Sequence, residues 1–285
     1  MQQYLDILSR IKNQGKRKKN RTGIDTFSIT GAMFEHDMSQ GFPVLTTKKM
    51  GMKNIATELV FFNQGRSDKP WLQSRGCHIW DEWGNPMKVP YGNDEASKKK
   101  MAAENDLGRI YGVQWRNWKG VDEKGNVVVV DQLTKALDTL KKDPTNRRII
   151  VSAWNPAELN QMALPPCHYS FHLLSDGESV DLLWNQRSVD TPLGLPYNIA
   201  SYALQLKLIA ATVGMLPGRL IGFLADVHIY ENQMEGVEEQ LTRAPRALPE
   251  LVLPLDFPGI LEWEPHMFRL EGYNPHPAIS FPIAV

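Results

Sequence analysis

"SVDLLWNQRSVDTPLGLPYNIASYAL", Ser179 to Leu204, decides how the chain is put together. Its first ten residues read as a buried strand. From Ile199 to Val213, apolar residues recur at helical spacing: Ile199, Ala203, Leu206, Ile209, Ala210 and Val213. Downstream, "RLIGFLADVHIY" (219–230) reads as a strand that turns polar at its end. Upstream, "DQLTKALDTLKKDP" (131–144) predicts a helix with the stripe Leu133, Ala136, Leu137 and Leu140, closed by Pro144. "RRIIVSAWN" (147–155) then predicts a buried strand. Strands and helices mix without a regular βαβ alternation, which favours the α+β class over a doubly wound sheet.

Nearer the start, Tyr4, Leu5, Ile7, Leu8 and Ile11 give a helix over 2–13. "GKRKKNR" (15–21) reads as a basic loop, and "DTFSITGAMFEHDM" (25–38) as strand, turn, strand. A buried helix over 54–64 ends at Gly65 and carries Glu58 among apolar neighbours. From Gly84 to Gly108 the sequence turns polar, as an exposed excursion would. No repeat or clean boundary divides the chain, so residues 1–285 read as one domain with a surface insertion at 84–108.

Composition narrows the function. With 32 basic and 32 acidic residues among 285, the formal charge is zero, and there is no global argument for nucleic acid as partner. Two cysteines, Cys77 and Cys167, make no disulfide framework and suit a reducing compartment. Neither a signal peptide nor a membrane span is legible. The expected setting is cytoplasmic.

Four groups of residues carry chemistry. Cys167 follows Pro165 and Pro166, whose fixed φ angles could hold a nucleophilic thiol at an element's end; a small buried hydrophobe is the bland alternative. Arg21, Arg147, Arg148 and Arg187, with Ser188 beside the last, suit a phosphate dianion if they converge. Asn198 is either a helix N-cap or an amide that matches the N3–H and O4 of uracil. His228 and Tyr230, two apart on a strand, share one face. No metal-ligand cluster, phosphate-cradling glycine loop or dinucleotide fingerprint is present.

Taken together, these stretches resemble the thymidylate synthase family over nearly the whole chain. The resemblance runs in order through "NRTG" (20–23), "GFPVLTTKK" (41–49), "HIWDEW" (78–83), "YGVQWR" (111–116), "NRRIIVSAWNPAELNQMALPPCH" (146–168), "NQRSVDTPLGLPYNIASYAL" (185–204), "DVHIYENQ" (226–233) and "LEGYNPHPAISFPIAV" (270–285). It implies a large mixed sheet with packed helices, its faces stacked in a homodimer. It also implies reductive methylation of dUMP to dTMP by 5,10-methylenetetrahydrofolate, through a covalent bond from Cys167 to uracil C6. Arg21, Arg187 and Ser188 would hold the phosphate, with Arg147 and Arg148 lent by a partner subunit. Asn198 would read the base, and His228 and Tyr230 the ribose. Glu58, Tyr111 and His168 would belong to the catalytic network. Asp190 would pair with the pterin, Trp80, Trp83, Leu193 and Gly194 would line the folate site, Lys48 would meet its glutamate tail, and the tail ending at Val285 would close over the ligands. No metal is implied.

The chain departs from the family pattern at Val189, at Thr191-Pro192, at Ala225, and at Ser280 and Phe281 near the end. Two other readings stay open: a dUMP hydroxymethylase on the same fold, in which water captures the methylene, and a non-catalytic nucleotide- or RNA-binding relative, supported only by the basic run 15–21.

Overall fold

In the computed structural model, which describes residues 1–283, ten strands and eight α-helices alternate irregularly. They are α1 (Gln2–Gln14), β1 (Lys16–Lys18), β2 (Thr26–Asp37), α2 (Met52–Asn63), α3 (Lys69–Gln73), α4 (Glu95–Ala103), α5 (Tyr111–Arg116), β3 (Trp118–Val121) and β4 (Val127–Val130). The chain continues through α6 (Gln132–Lys142), β5 (Ile149–Ser152), β6 (His168–Ser175), β7 (Ser179–Asp190), α7 (Gly194–Val213), β8 (Leu216–Tyr230), α8 (Met234–Leu241), β9 (Glu250–Val252) and β10 (Arg269–Glu271). Six strands form one mixed sheet in the order β1-β2-β8-β7-β6-β5. The α+β expectation therefore holds.

The stretch 179–204 earns its place in that sheet. β7 and β8 pair in parallel, while every other neighbouring pair in the sheet is antiparallel. A parallel pair needs a crossover, and α7 supplies it. Apolar on nearly every side, α7 buries Leu195, Ile199, Leu206 and Ile209 against the sheet and its neighbours. On the other side of the chain's start, α1 buries the five residues its spacing marked. The Asp131 carboxylate caps α6 by accepting from the Thr134 N–H.

Several expectations fail locally. The hairpin expected over 25–38 is one continuous strand: Gly31 takes φ +80° in the middle of β2 without turning the chain, because β8 pairs with both halves. The basic run is partly an exposed edge strand, β1, whose lysines suit an edge that no other chain extends. β5 is buried on one face only, with Ile150 pointing outward. α7 starts at Gly194, so Asn198 lies one turn inside the helix and is not its N-cap. β6 and the β3–β4 hairpin carried no clear signal in the sequence.

Segment 84–108 is mostly exposed in its side chains yet firmly anchored, with Met101 and Leu107 buried. Lys69 is fully buried, and its ammonium donates to the carbonyls of Trp83 (2.7 Å), Met101 (3.0 Å), Ala102 (3.1 Å) and Asp81 (3.2 Å). A cation at the C-terminal end of α4 also complements that helix's dipole. Asn85 donates to Asp106 at 2.8 Å, and Asp94 caps α4.

Candidate active site

Cys167 lies immediately before β6, where the chain enters the sheet. Its N–H donates to the Tyr111 hydroxyl at 2.8 Å, and its carbonyl accepts from the Arg187 N–H at 2.9 Å. The prolines ahead of it have no amide to donate, but their carbonyls are both taken by one guanidinium. Arg187 Nη2 reaches Pro165 O at 2.8 Å and Nε reaches Pro166 O at 3.0 Å. The same guanidinium lies 5.4 Å from the Trp154 ring centre. A planar fork suits two adjacent carbonyls as no lysine would. Proline stiffness and this fork together fix the sulfur's position.

Burial pushes the Cys167 thiol above its ordinary value, and Asp190 adds to that. The charges of Arg187 and Arg21 and the Tyr111 hydroxyl pull the other way. At rest the sulfur is a thiol, with cations already placed to favour the thiolate.

Around it stands an aromatic and polar wall. Tyr111 stacks on Phe62 at 4.9 Å and lies 4.4 Å from the His168 ring. α5 reaches α2 closely enough for this because residue 112 is glycine: a Cβ there would lie 2.2 Å from the Phe62 carbonyl oxygen. His168 pairs through Nδ1 with the Tyr202 hydroxyl at 2.9 Å, and burial lowers its pKa to about 3. It is therefore a neutral imidazole at ordinary pH, able to hydrogen-bond but not to serve as a cationic acid. Burial raises the Glu58 carboxyl to about 7, although the Trp80 indole N–H donates to it at 2.8 Å.

Asn198 is aimed by a relay. Trp184 Nε1 donates to Gln186 Oε1 at 3.1 Å, and Gln186 Nε2 donates to Asn198 Oδ1 at 3.0 Å. Held by its oxygen, Asn198 keeps its amide hydrogens free and one oxygen lone pair to spare, so it offers both a donor and an acceptor. Trp184 also stacks on Tyr202 at 5.3 Å, tying this relay to His168.

Asp190, at the end of β7, stands opposite His228 of β8. It accepts from the Leu193 N–H at 3.1 Å and from Gln233 Nε2 at 3.1 Å. Its carboxyl is raised, chiefly by burial, with these donors opposing. Gln233 Nε2 also donates to the Pro282 carbonyl at 3.1 Å, which ties the C-terminal segment to the site. His228 and Tyr230 do share a face, with ring centres 5.2 Å apart. The charges of Arg21, Asp190 and Cys167 all bear on Tyr230. Ser188, within β7 two residues before it ends, and Gly194, the first residue of α7, are half-buried, with Leu193 packed partly into the core.

One expected position differs. Lys48 is buried, donates to the Pro192 carbonyl at 2.5 Å and lies 4.4 Å from the Phe281 ring centre. An ammonium so covered is not presented to an incoming carboxylate, and burial lowers its pKa to about 8. Arg147 and Arg148 are exposed at the start of β5 and are not brought to Cys167 within the chain. Ile149 pairs with Leu173, so these arginines lie roughly 25 Å along β6 from the sulfur at strand rise. Val285 lies outside the described residues.

Sequence reasoning missed Tyr202, Gln186, Gln233, Lys69 and Tyr91. Gln186 and Gln233 stand within quoted motifs, two residues from Trp184 and three from Tyr230, and that proximity was the available signal. A cavity of about 610 Å3 lined by Val252, Pro254, Asp256, His266 and Arg269 includes none of the residues above. No helix among the described residues is long and apolar enough to cross a membrane, and no group of three or more His, Cys, Asp or Glu among them could hold a metal.

One comparison with known proteins bears on this arrangement: the family model described as thymidylate synthase matches residues 2–285. That span takes in the anchored cysteine, the amide relay and the polar wall alike, and the chain belongs to the thymidylate synthase family, a family of enzymes.

Proposed function

We propose that the protein is a folate-dependent thymidylate synthase, converting dUMP and 5,10-methylenetetrahydrofolate to dTMP and dihydrofolate. The observation that carries this reading is the anchoring of Cys167. Its backbone is fixed from both sides, by Tyr111 and by Arg187, beside an amide pre-aimed to read a base.

In this reading the Cys167 sulfur bonds to C6 of uracil as its proton leaves, and C5 gains the electron density to form a new carbon–carbon bond. Asn198 meets the N3–H with its oxygen and the O4 with its amide hydrogens, which stabilises the charge developing on O4. Glu58, poised near neutrality, accepts or returns protons without the cost of holding a buried charge. The folate supplies the one-carbon unit and, finally, the hydride. Before the hydride arrives the C5 proton is removed and the tetrahydrofolate leaves the one-carbon unit as a methylene; the hydride then completes the methyl group, and the sulfur leaves C6. His168, being neutral, contributes its hydrogen bond to Tyr202 and packs its ring against Tyr111.

The residues present suit a folate. Asp190 offers a carboxyl to a ring that carries amide and amino groups, next to Leu193 and Gly194, and the indole of Trp83 is proposed to flank that ring. Arg21, Arg187 and Ser188 take the phosphate. Arg147 and Arg148 are proposed to reach it from a second copy of the chain. The exposed apolar side chains of Met33, Ile150 and Phe223 on the sheet face support such pairing. A single domain acting in the cytoplasm completes the proposal.

The test is to incubate the protein with dUMP and methylenetetrahydrofolate, following dihydrofolate absorbance and product mass together. Dihydrofolate with thymidylate in equal amounts is expected. A hydroxymethylated nucleotide without dihydrofolate would overturn the methylation reading.

A further inference from the structure

The structure assigns Tyr91, on the polar segment 84–108, to the substrate site as a positioning residue: it pre-orients Arg21 for the nucleotide phosphate and buttresses Trp83. The inference rests on the proposed function and extends it to a segment whose sequence gave no hint of a role.

Three observations carry it. Arg21 Nη1 donates to the Tyr91 hydroxyl at 2.9 Å, and the guanidinium carbon lies 5.6 Å from the Tyr91 ring centre. The Tyr91 O–H is itself spent on Asn93 Oδ1 at 2.6 Å, which leaves its oxygen lone pairs to accept from Arg21. The ring of Tyr91 then stacks on Trp83, centroids 6.2 Å apart and planes 18° from parallel.

The arrangement orients Arg21 without consuming it. Arg21 is exposed, and no carboxylate among the described residues pairs with it. The neutral phenol oxygen takes one of five guanidinium donors, so the rest of the fork stays open to a dianion, which binds it more strongly than a phenol does. A long exposed side chain otherwise loses its rotamer freedom on binding; here part of that cost is met beforehand. In this pose the charge of Arg21 is felt at both Cys167 and Tyr230, which places it on the working side of the cleft. The segment that brings Tyr91 is rigid enough to do this, because Lys69 and the Asn85–Asp106 pair anchor its two ends.

Two variants separate the hydroxyl from the ring. Tyr91→Phe keeps the stack on Trp83 and loses only the acceptor. It is expected to raise the KM for dUMP, and the inhibition constant of inorganic phosphate, by about five- to tenfold, the size of one ordinary net hydrogen bond, since the phenol only pre-orients Arg21. The KM for methylenetetrahydrofolate and kcat should change less than about twofold, since neither contact is touched. Tyr91→Ala removes both functions and is expected to raise both KM values. Calorimetric titration of the same variants with dUMP and with phosphate reads the anion site independently of turnover. If wild-type protein binds dUMP and Tyr91→Phe binds it and phosphate equally well, the inference fails while the proposed function stands. If Tyr91→Phe raises both KM values as Tyr91→Ala does, the hydroxyl has no selective role and the inference also fails. If wild-type protein binds neither dUMP nor phosphate, both readings fall.

Discussion

Replacing Glu58 by glutamine should change how stability responds to pH, in a direction that burial dictates. The Glu58 carboxyl is lifted from an ordinary 4.5 to about 7 because folding removes it from water, and the Trp80 hydrogen bond offsets only part of that. The native state therefore holds this proton through a range in which the unfolded chain has released it. By linkage, its contribution to stability is greatest below pH ~4.5 and is lost as pH rises through about 7. Moving a carboxyl that far corresponds to about 3 kcal/mol between the two ends of the window. Glu58→Gln keeps an oxygen for the Trp80 indole and never ionises, so this contribution disappears. Urea denaturation from pH 5 to pH 8, followed by tryptophan fluorescence, measures the effect. The variant should gain about 2.5 kcal/mol on the wild type as the pH rises across that range, since part of the loss already lies below pH 5. Parallel pH profiles for the two proteins would mean that the carboxyl titrates alike in both states, and would refute the argument.

Lys69→Met should strip four carbonyls of their shared donor and cost about 3 kcal/mol or more, with faster proteolysis within 84–108; unchanged cleavage would disprove the clamp. Native Cys77, whose buried thiol is pushed up to about 11, should resist alkylation by iodoacetamide at pH 8, and peptide mapping checks this. If arginines cross between subunits, a mixture of inactive Cys167→Ala and inactive Arg148→Ala chains should regain about a quarter of wild-type activity after refolding together, from statistical pairing with one intact site per mixed dimer. Activity measured before and after mixing decides it.

What could be read in advance follows from the kind of signal each feature leaves. α1 and α6 are amphipathic, so their apolar residues mark both element and buried face. The single strand β2 is not legible in the sequence because glycine in a strand and glycine in a turn look alike until the partner strand is known, and β8 lies almost 200 residues away. Cys167, Asn198, Glu58 and Arg187 stood out through motifs, but what aims them did not. Arg187 grips two backbone carbonyls, which leave no trace in residue identity. Lys69 is hidden for the same reason. Lys48 has the residue type of an anion ligand, yet Phe281, one of the chain's own departures, covers it. Tyr91 lies in a segment whose polarity suggested only exposure.

The central claim is that Cys167 bonds to the nucleotide during turnover. Acid quenching within the first turnovers, followed by proteolysis and mass spectrometry, measures this directly. A nucleotide adduct on the peptide that carries Cys167, absent when either substrate is withheld, is the predicted result. Thymidylate and dihydrofolate accumulating at an undiminished rate in the Cys167→Ala protein would contradict it.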